Sequence, residues 1–109
     1  MATSSIAAMS KVALIAKLPV KAGRRDELVA AFQPMLDAVN DEAGTEIYIL
    51  SLDQGDENVA YVFELYSDAD AMGAHSSSDT MAALIGSIGE LFDGDAVFTM
   101  LAPVGGKGL

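Results

Sequence analysis

A chain of 109 residues, 51% of them hydrophobic and none of them cysteine, has the size of one domain, is too apolar for a disordered segment, and is closed to disulfide, thiol and thiolate–metal chemistry. Its 16 acidic against 6 basic side chains give a net charge of −10, which repels phosphate backbones and anionic bilayers, so neither nucleic acid nor membrane is an expected partner. No apolar run approaches the roughly 20 residues of a bilayer span, and the start, MATSSIAAMSKVALIA, has no basic region ahead of its apolar part, so the expectation is a cytoplasmic protein with a solvated acidic shell.

Residues 1–10 read as a loose Ser/Ala-rich lead-in, and the folded domain is expected over 11–102. From Lys11 to Val20 the chain alternates, with Val12, Leu14, Ala16, Leu18 and Val20 on one face of a strand and Ala13, Ile15 and Lys17 on the other. Pro19 marks a strand end or a sheet edge. After the turn Lys21–Arg24, Asp26 and Glu27 open a helix at the end where the macrodipole favours acidic side chains. Leu28, Phe32, Met35 and Val39 recur at helical spacing as its buried stripe. Pro34 predicts a kink, because it lacks an N–H and its ring crowds the carbonyl of Ala30. The helix should resume to about Asn40, a candidate cap, and stop at Gly44.

Thr45–Leu52 is a second strand, with Tyr48, Leu50 and Leu52 on one face. A polar hairpin loop, Asp53–Asn58, leads to a third strand, Val59–Tyr66, on which Tyr61, Phe63 and Leu65 oppose Ala60, Val62, Glu64 and Tyr66. Ser67 is placed to cap a short helix through His75, with Asp70 at the capping-box position. Ser78 is placed to cap the next helix, whose stripe is Met81, Leu84, Ile85, Ile88 and Leu91. Gly94 ends a turn before a fourth strand, Ala96–Ala102, and residues 103–109 read as a flexible Gly-rich tail. The order β-α-β-β-α-β, its last helical part split in two, is that of an α+β ferredoxin-like fold with a four-stranded antiparallel sheet. Strands two and three are apolar on both faces, whereas a sheet open to water on one side alternates. The simplest cover for the second face is another copy, so a homodimer packed through the sheet face is expected.

This reading puts Glu64 and Tyr66 on the face toward the helices and Tyr61, Phe63 and Leu65 on the dimer face. His75, the one histidine, ends the helix that follows Tyr66 and can fold back over the same face, with Tyr48 as a further neighbour. Each residue has a plainer alternative. His75 can serve only the helix dipole, Glu64 can be an edge-strand glutamate in water, and the tyrosines can be core rings with a polar tip. A single histidine without cysteine argues against a zinc site, and Gly105–Gly108 ends the chain with no helix to complete a phosphate loop.

Glu42-Ala-Gly44-Thr45 followed by Tyr48, then Phe63-Glu64-Leu65-Tyr66, then Ser67-Asp68-Ala69-Asp70-Ala71 leading to Ala74-His75, resembles the antibiotic biosynthesis monooxygenase domain from about Val12 to Ala102. Ala43 stands where that family often has proline and Tyr66 where tryptophan is frequent; the chain has no tryptophan, which argues against the haem-degrading branch. The resemblance implies a dimeric α+β barrel and a cofactor-independent oxygenase acting on a quinol or polycyclic phenol. Such a substrate, once deprotonated, itself reduces oxygen. On this reading His75 is the base, Glu64 orients it or the substrate, and Tyr66 and Tyr48 bind substrate oxygens. Two alternatives stand beside it: a small-molecule isomerase or mutarotase on the same fold, and a non-catalytic dimer that binds a small apolar ligand.

Overall fold

The computed structural model describes residues 10–109, so the lead-in expected at the start lies, Ser10 apart, outside the described residues. Strand β1 spans Val12–Pro19, β2 Thr45–Leu52, β3 Val59–Tyr66 and β4 Val97–Leu101. Helix α1 spans Arg25–Ala38, α2 Ala69–Ser76 and α3 Asp79–Ile88, with 3₁₀ turns at Val39–Asp41 and Gly89–Leu91. The strands form one sheet in the order β2-β3-β1-β4, every neighbouring pair antiparallel. This is the ferredoxin-like α+β architecture that the element order predicts.

One face of the sheet carries the helices. Ala16, Leu18, Ala60 and Val62 meet Leu28, Phe32 and Met35 of α1 and Leu84 and Ile88 of α3 in a single apolar core. The helical spacing of Leu28, Phe32 and Met35 is what allows α1 to bury one stripe while Asp26, Glu27 and Gln33 stay in water. Helix α1 runs as one element through Pro34. Ala30, whose carbonyl loses its partner to the proline, is exposed, so water can satisfy it. The helix ends in the 3₁₀ turn, where Asn40 Nδ2 donates to the carbonyls of Leu36 and Asp37 at 3.1 and 3.3 Å. Gly44 is not its stop: only Gly23, Gly94, Gly106 and Gly108 among the described residues have left-handed backbone. Gly44 is needed for space instead, because a Cβ there would stand 2.4 Å from the Cβ of Ala71.

The caps refine the expected helix starts. Asp68, not Ser67, caps α2, accepting from the Ala71 amide at 2.8 Å. Ser67 is instead engaged through its backbone, its amide donating to the Gly44 carbonyl at 2.9 Å. Ser78 caps α3 as expected, accepting from the Met81 amide at 3.1 Å.

The second face of the sheet carries Ile15, Phe63 and Ile49 in direct register across three strands. All three are exposed in the single chain, as are Val97 and Leu101 on the same side of β4. Residues 102–109 pass over one end of this face, lining with Ala13, Ile47 and Leu65 a hollow of about 460 Å³. No helix among the described residues is long and apolar enough to cross a membrane.

Candidate functional site

Strand alternation decides which polar groups of β3 enter the helix side. Glu64 is paired across the sheet with Leu14 of β1 on one flank and Tyr48 of β2 on the other. It is only 6% exposed, so an ionisable carboxylate sits where the flanking positions of the strand, Val62 and Tyr66, are core. The Tyr66 hydroxyl, two residues on and on the same face, donates to Glu64 Oε1. Tyr48 lies on this face as well, its ring centroid 5.1 Å from that of His75.

His75 arrives from the other direction, on the last turn of α2. Its ring is buried and packs against Tyr66 as well as Tyr48, the Tyr66 centroid lying 5.5 Å away. Its Nδ1 lies 2.8 Å from Oε1 of Glu42, in the turn before β2. Thr45 Oγ1 donates to the same carboxylate oxygen at 2.7 Å. Nε2, at the far end of the ring, is buried without a hydrogen-bond partner among the described residues. The turn below is held by Ser78 Oγ, which donates to the His75 carbonyl at 2.8 Å.

The five side chains form two layers. Glu64 and Tyr48 face an apolar cavity of about 170 Å³ between sheet and helices, lined also by Phe32, Leu84, Ile88 and Phe92. Tyr66 and His75 stand behind them, outside its lining, and His75 borders a separate hollow of about 240 Å³ beside Glu42, Thr45 and Ser78. Tyr48 and Glu64 are the polar groups of the inner cavity.

Burial sets the protonation behaviour of this cluster. It raises the pKa of Glu64 above the usual carboxylate value, an effect opposed by the Tyr66 hydrogen bond and by the nearby His75. Burial, reinforced by the negative charges of Glu64 and Glu42, pushes Tyr48 far upward. Burial raises Tyr66 as well, and its hydrogen bond to Glu64 adds to the rise. Both phenols are therefore neutral near pH 7; Tyr66 donates to Glu64, and a neutral Tyr48 hydroxyl is able to donate. The cavity holds a carboxylate readier than usual to take a proton, with a phenol donor beside it.

The family model described as antibiotic biosynthesis monooxygenase matches residues 11–86. This chain belongs to that family. Among solved structures similar to this family member, a candidate antibiotic biosynthesis monooxygenase from Caulobacter crescentus is 24% identical, with a TM-score of 0.85 over 96% of this chain and 100% of that one. A Mycobacterium tuberculosis protein is 26% identical, with a TM-score of 0.83 over 90% of this chain and 99% of its own. A conserved protein of Methanosarcina mazei reaches a TM-score of 0.84 at 16% identity, over 90% and 97% of the two chains. No curated protein matches the sequence. For an antibiotic biosynthesis monooxygenase domain, a monooxygenase-like or ligand-binding activity is the coarse reading that follows.

Within this family member, sequence pattern located four of the five clustered residues: Glu64, Tyr66 and His75 through the strand–helix motif, and Tyr48 through its strand. The structure brings them together but pairs them differently from the expectation. Glu64 is bonded to Tyr66, and the imidazole is held by Glu42. Glu42 belongs to the turn that carries the family resemblance, yet nothing local assigned it chemistry. Its partner is 33 residues away, and only an acidic residue in a tight turn beside a threonine hinted at a built contact.

Proposed function

We propose that the protein is a cofactor-independent monooxygenase acting on a neutral quinol, with Glu64 as the group that meets the substrate hydroxyl. The observation that carries this reading is the buried carboxylate of Glu64 at the wall of an otherwise apolar cavity. A quinol hydroxyl that donates to Glu64 meets a carboxylate whose basicity burial has raised above that of a free one, so an acceptor for its proton is already in place. Tyr48, a neutral donor, can hold the oxygen that becomes negative. The quinolate is electron-rich enough to reduce dioxygen. In the balanced reaction one oxygen atom enters the ring and the other leaves as water, all four electrons coming from the quinol. His75 is the next acceptor in the cluster, an imidazole able to bind the proton at Nε2 within the electrostatic reach of Glu64.

Cavity size and charge narrow the substrate. A space of about 170 Å³ is close to the ~150 Å³ that accommodates benzene in an engineered protein core, which favours one ring over a polycycle. No Lys or Arg occurs between Asp26 and Gly106, so nothing nearby in sequence pairs with a carboxylate or phosphate on the substrate. The small volume also suits the second reading, a dimer that binds a small apolar ligand without turning it over. Oxygen consumption with a panel of hydroquinones and anthrones separates the two. Uptake with single-ring quinols that is lost in His75→Ala supports the oxygenase. Saturable binding without uptake supports the ligand-binding dimer.

The partner in this reading is a second copy. Exposed Ile15, Ile49, Phe63, Val97 and Leu101 on one sheet face form an apolar surface of the kind that isologous interfaces bury.

A further inference from the structure

We infer that Glu42 is the positioning residue of the site, fixing the His75 imidazole in its Nδ1–H tautomer so that Nε2 is the atom carrying the lone pair. The inference rests on the reading of His75 as a proton acceptor, but its first test does not require turnover. An ionised carboxylate only accepts hydrogen bonds. Its Oε1 lies 2.8 Å from Nδ1, so in the neutral ring the proton belongs on Nδ1. The acceptor is itself fixed, because Thr45 Oγ1 donates to the same oxygen at 2.7 Å.

The contact between loop and helix is built into the backbone. Gly44 meets Ala71 so closely that a Cβ would stand 2.4 Å from the Ala71 Cβ. Ala71 precedes His75 by four residues, one turn along the same face of α2. The Gly44–Ala71 approach and the Glu42–His75 bond therefore join the same two segments at consecutive turns. The Ser67 amide, just before α2, donates to the Gly44 carbonyl at 2.9 Å and closes the joint from a third point. Nε2 is left buried beside two neutral phenols, Tyr48 and Tyr66, and has no partner among the described residues. A carboxylate that orients an imidazole from Nδ1 leaves the opposite nitrogen basic, the arrangement by which a buried acid sets the working tautomer of a general-base histidine.

Nitrogen NMR of the ring in the intact, ligand-free protein reads the tautomer directly, on the one histidine of the chain. At a pH where the ring is neutral, the expected spectrum has the proton on Nδ1 and an unprotonated Nε2. Glu42→Gln, whose amide can donate as well as accept, should give a mixture of tautomers, and Glu42→Asp should restore the single form. With a quinol that supports oxygen uptake, Glu42→Gln should lower kcat about a hundredfold with little change in KM. A proton on Nε2 in the unmodified protein overturns the inference without need of any variant, as does an unchanged tautomer in a folded Glu42→Gln protein. The predicted tautomer in a protein that consumes no oxygen leaves Glu42 as the positioning residue and overturns the oxygenase reading instead.

Discussion

The two faces of the sheet are made by the same strands and treat polarity in opposite ways. On the helix face, β3 places Glu64 and Tyr66 among core residues, and both are nearly shut off from water. On the other face, the same strand places Phe63 in register with Ile15 and Ile49, and these apolar side chains are exposed in the single chain. A charge in the core and hydrocarbon at the surface are both costly. The molecule tolerates both: a polar cluster held inside the monomer, and an apolar sheet face, exposed in the single chain, that is proposed to pair with a second copy.

The comparison can be broken most decisively at the outer face. Phe63→Asp puts a charge at the centre of the apolar row, and the expected outcome in sedimentation is complete conversion from dimer to monomer. A parent protein that sediments as a monomer at micromolar concentration would remove the proposed role of that face. On the inner face, Glu64→Gln keeps the shape and removes the proposed proton acceptor. Oxygen uptake should fall on the order of 10²- to 10⁴-fold, and uptake equal to the parent would shift the role to another group.

The joint that places His75 gives a smaller effect. Gly44→Ala adds a methyl group where Ala71 leaves no space, and denaturant unfolding should show a loss of about 1–3 kcal/mol, together with weaker oxygen uptake as α2 is displaced. The smallest effect is a pH dependence. Burial raises the Glu64 pKa in the folded protein above its unfolded value, so the folded state binds that proton more tightly. The contribution to stability is fully present below the unfolded value and declines as pH rises through the folded one. Glu64→Gln lacks this decline, so its stability relative to the parent should increase from acidic toward neutral pH. A difference independent of pH would mean that Glu64 is not desolvated.

Much of this architecture was legible in local pattern. The period-two alternation of β1 and β3 separates the two faces, and the spacing of Leu28, Phe32 and Met35 turns α1 onto the sheet. Finer features were not. Asp68 rather than Ser67 caps α2, because both are good caps and the choice depends on which backbone turns first, with the Ser67 amide already engaged by Gly44. Gly44 looked like a helix stop, and its real constraint is a methyl group on another helix.

The sequence by itself determined the element order, the ferredoxin-like class, the side of β3 on which Glu64 lies and the membership of a family, because each depends on residues close together along the chain or on their order. Only the tertiary structure decided the partners. Glu64 is bonded to Tyr66, and His75 is oriented by Glu42, 33 residues away. Two side chains so far apart meet only because β2, β3 and α2 converge on one point. A hydrogen bond is satisfied by position in space, and the period of a helix or strand carries no record of which distant turn will supply the acceptor.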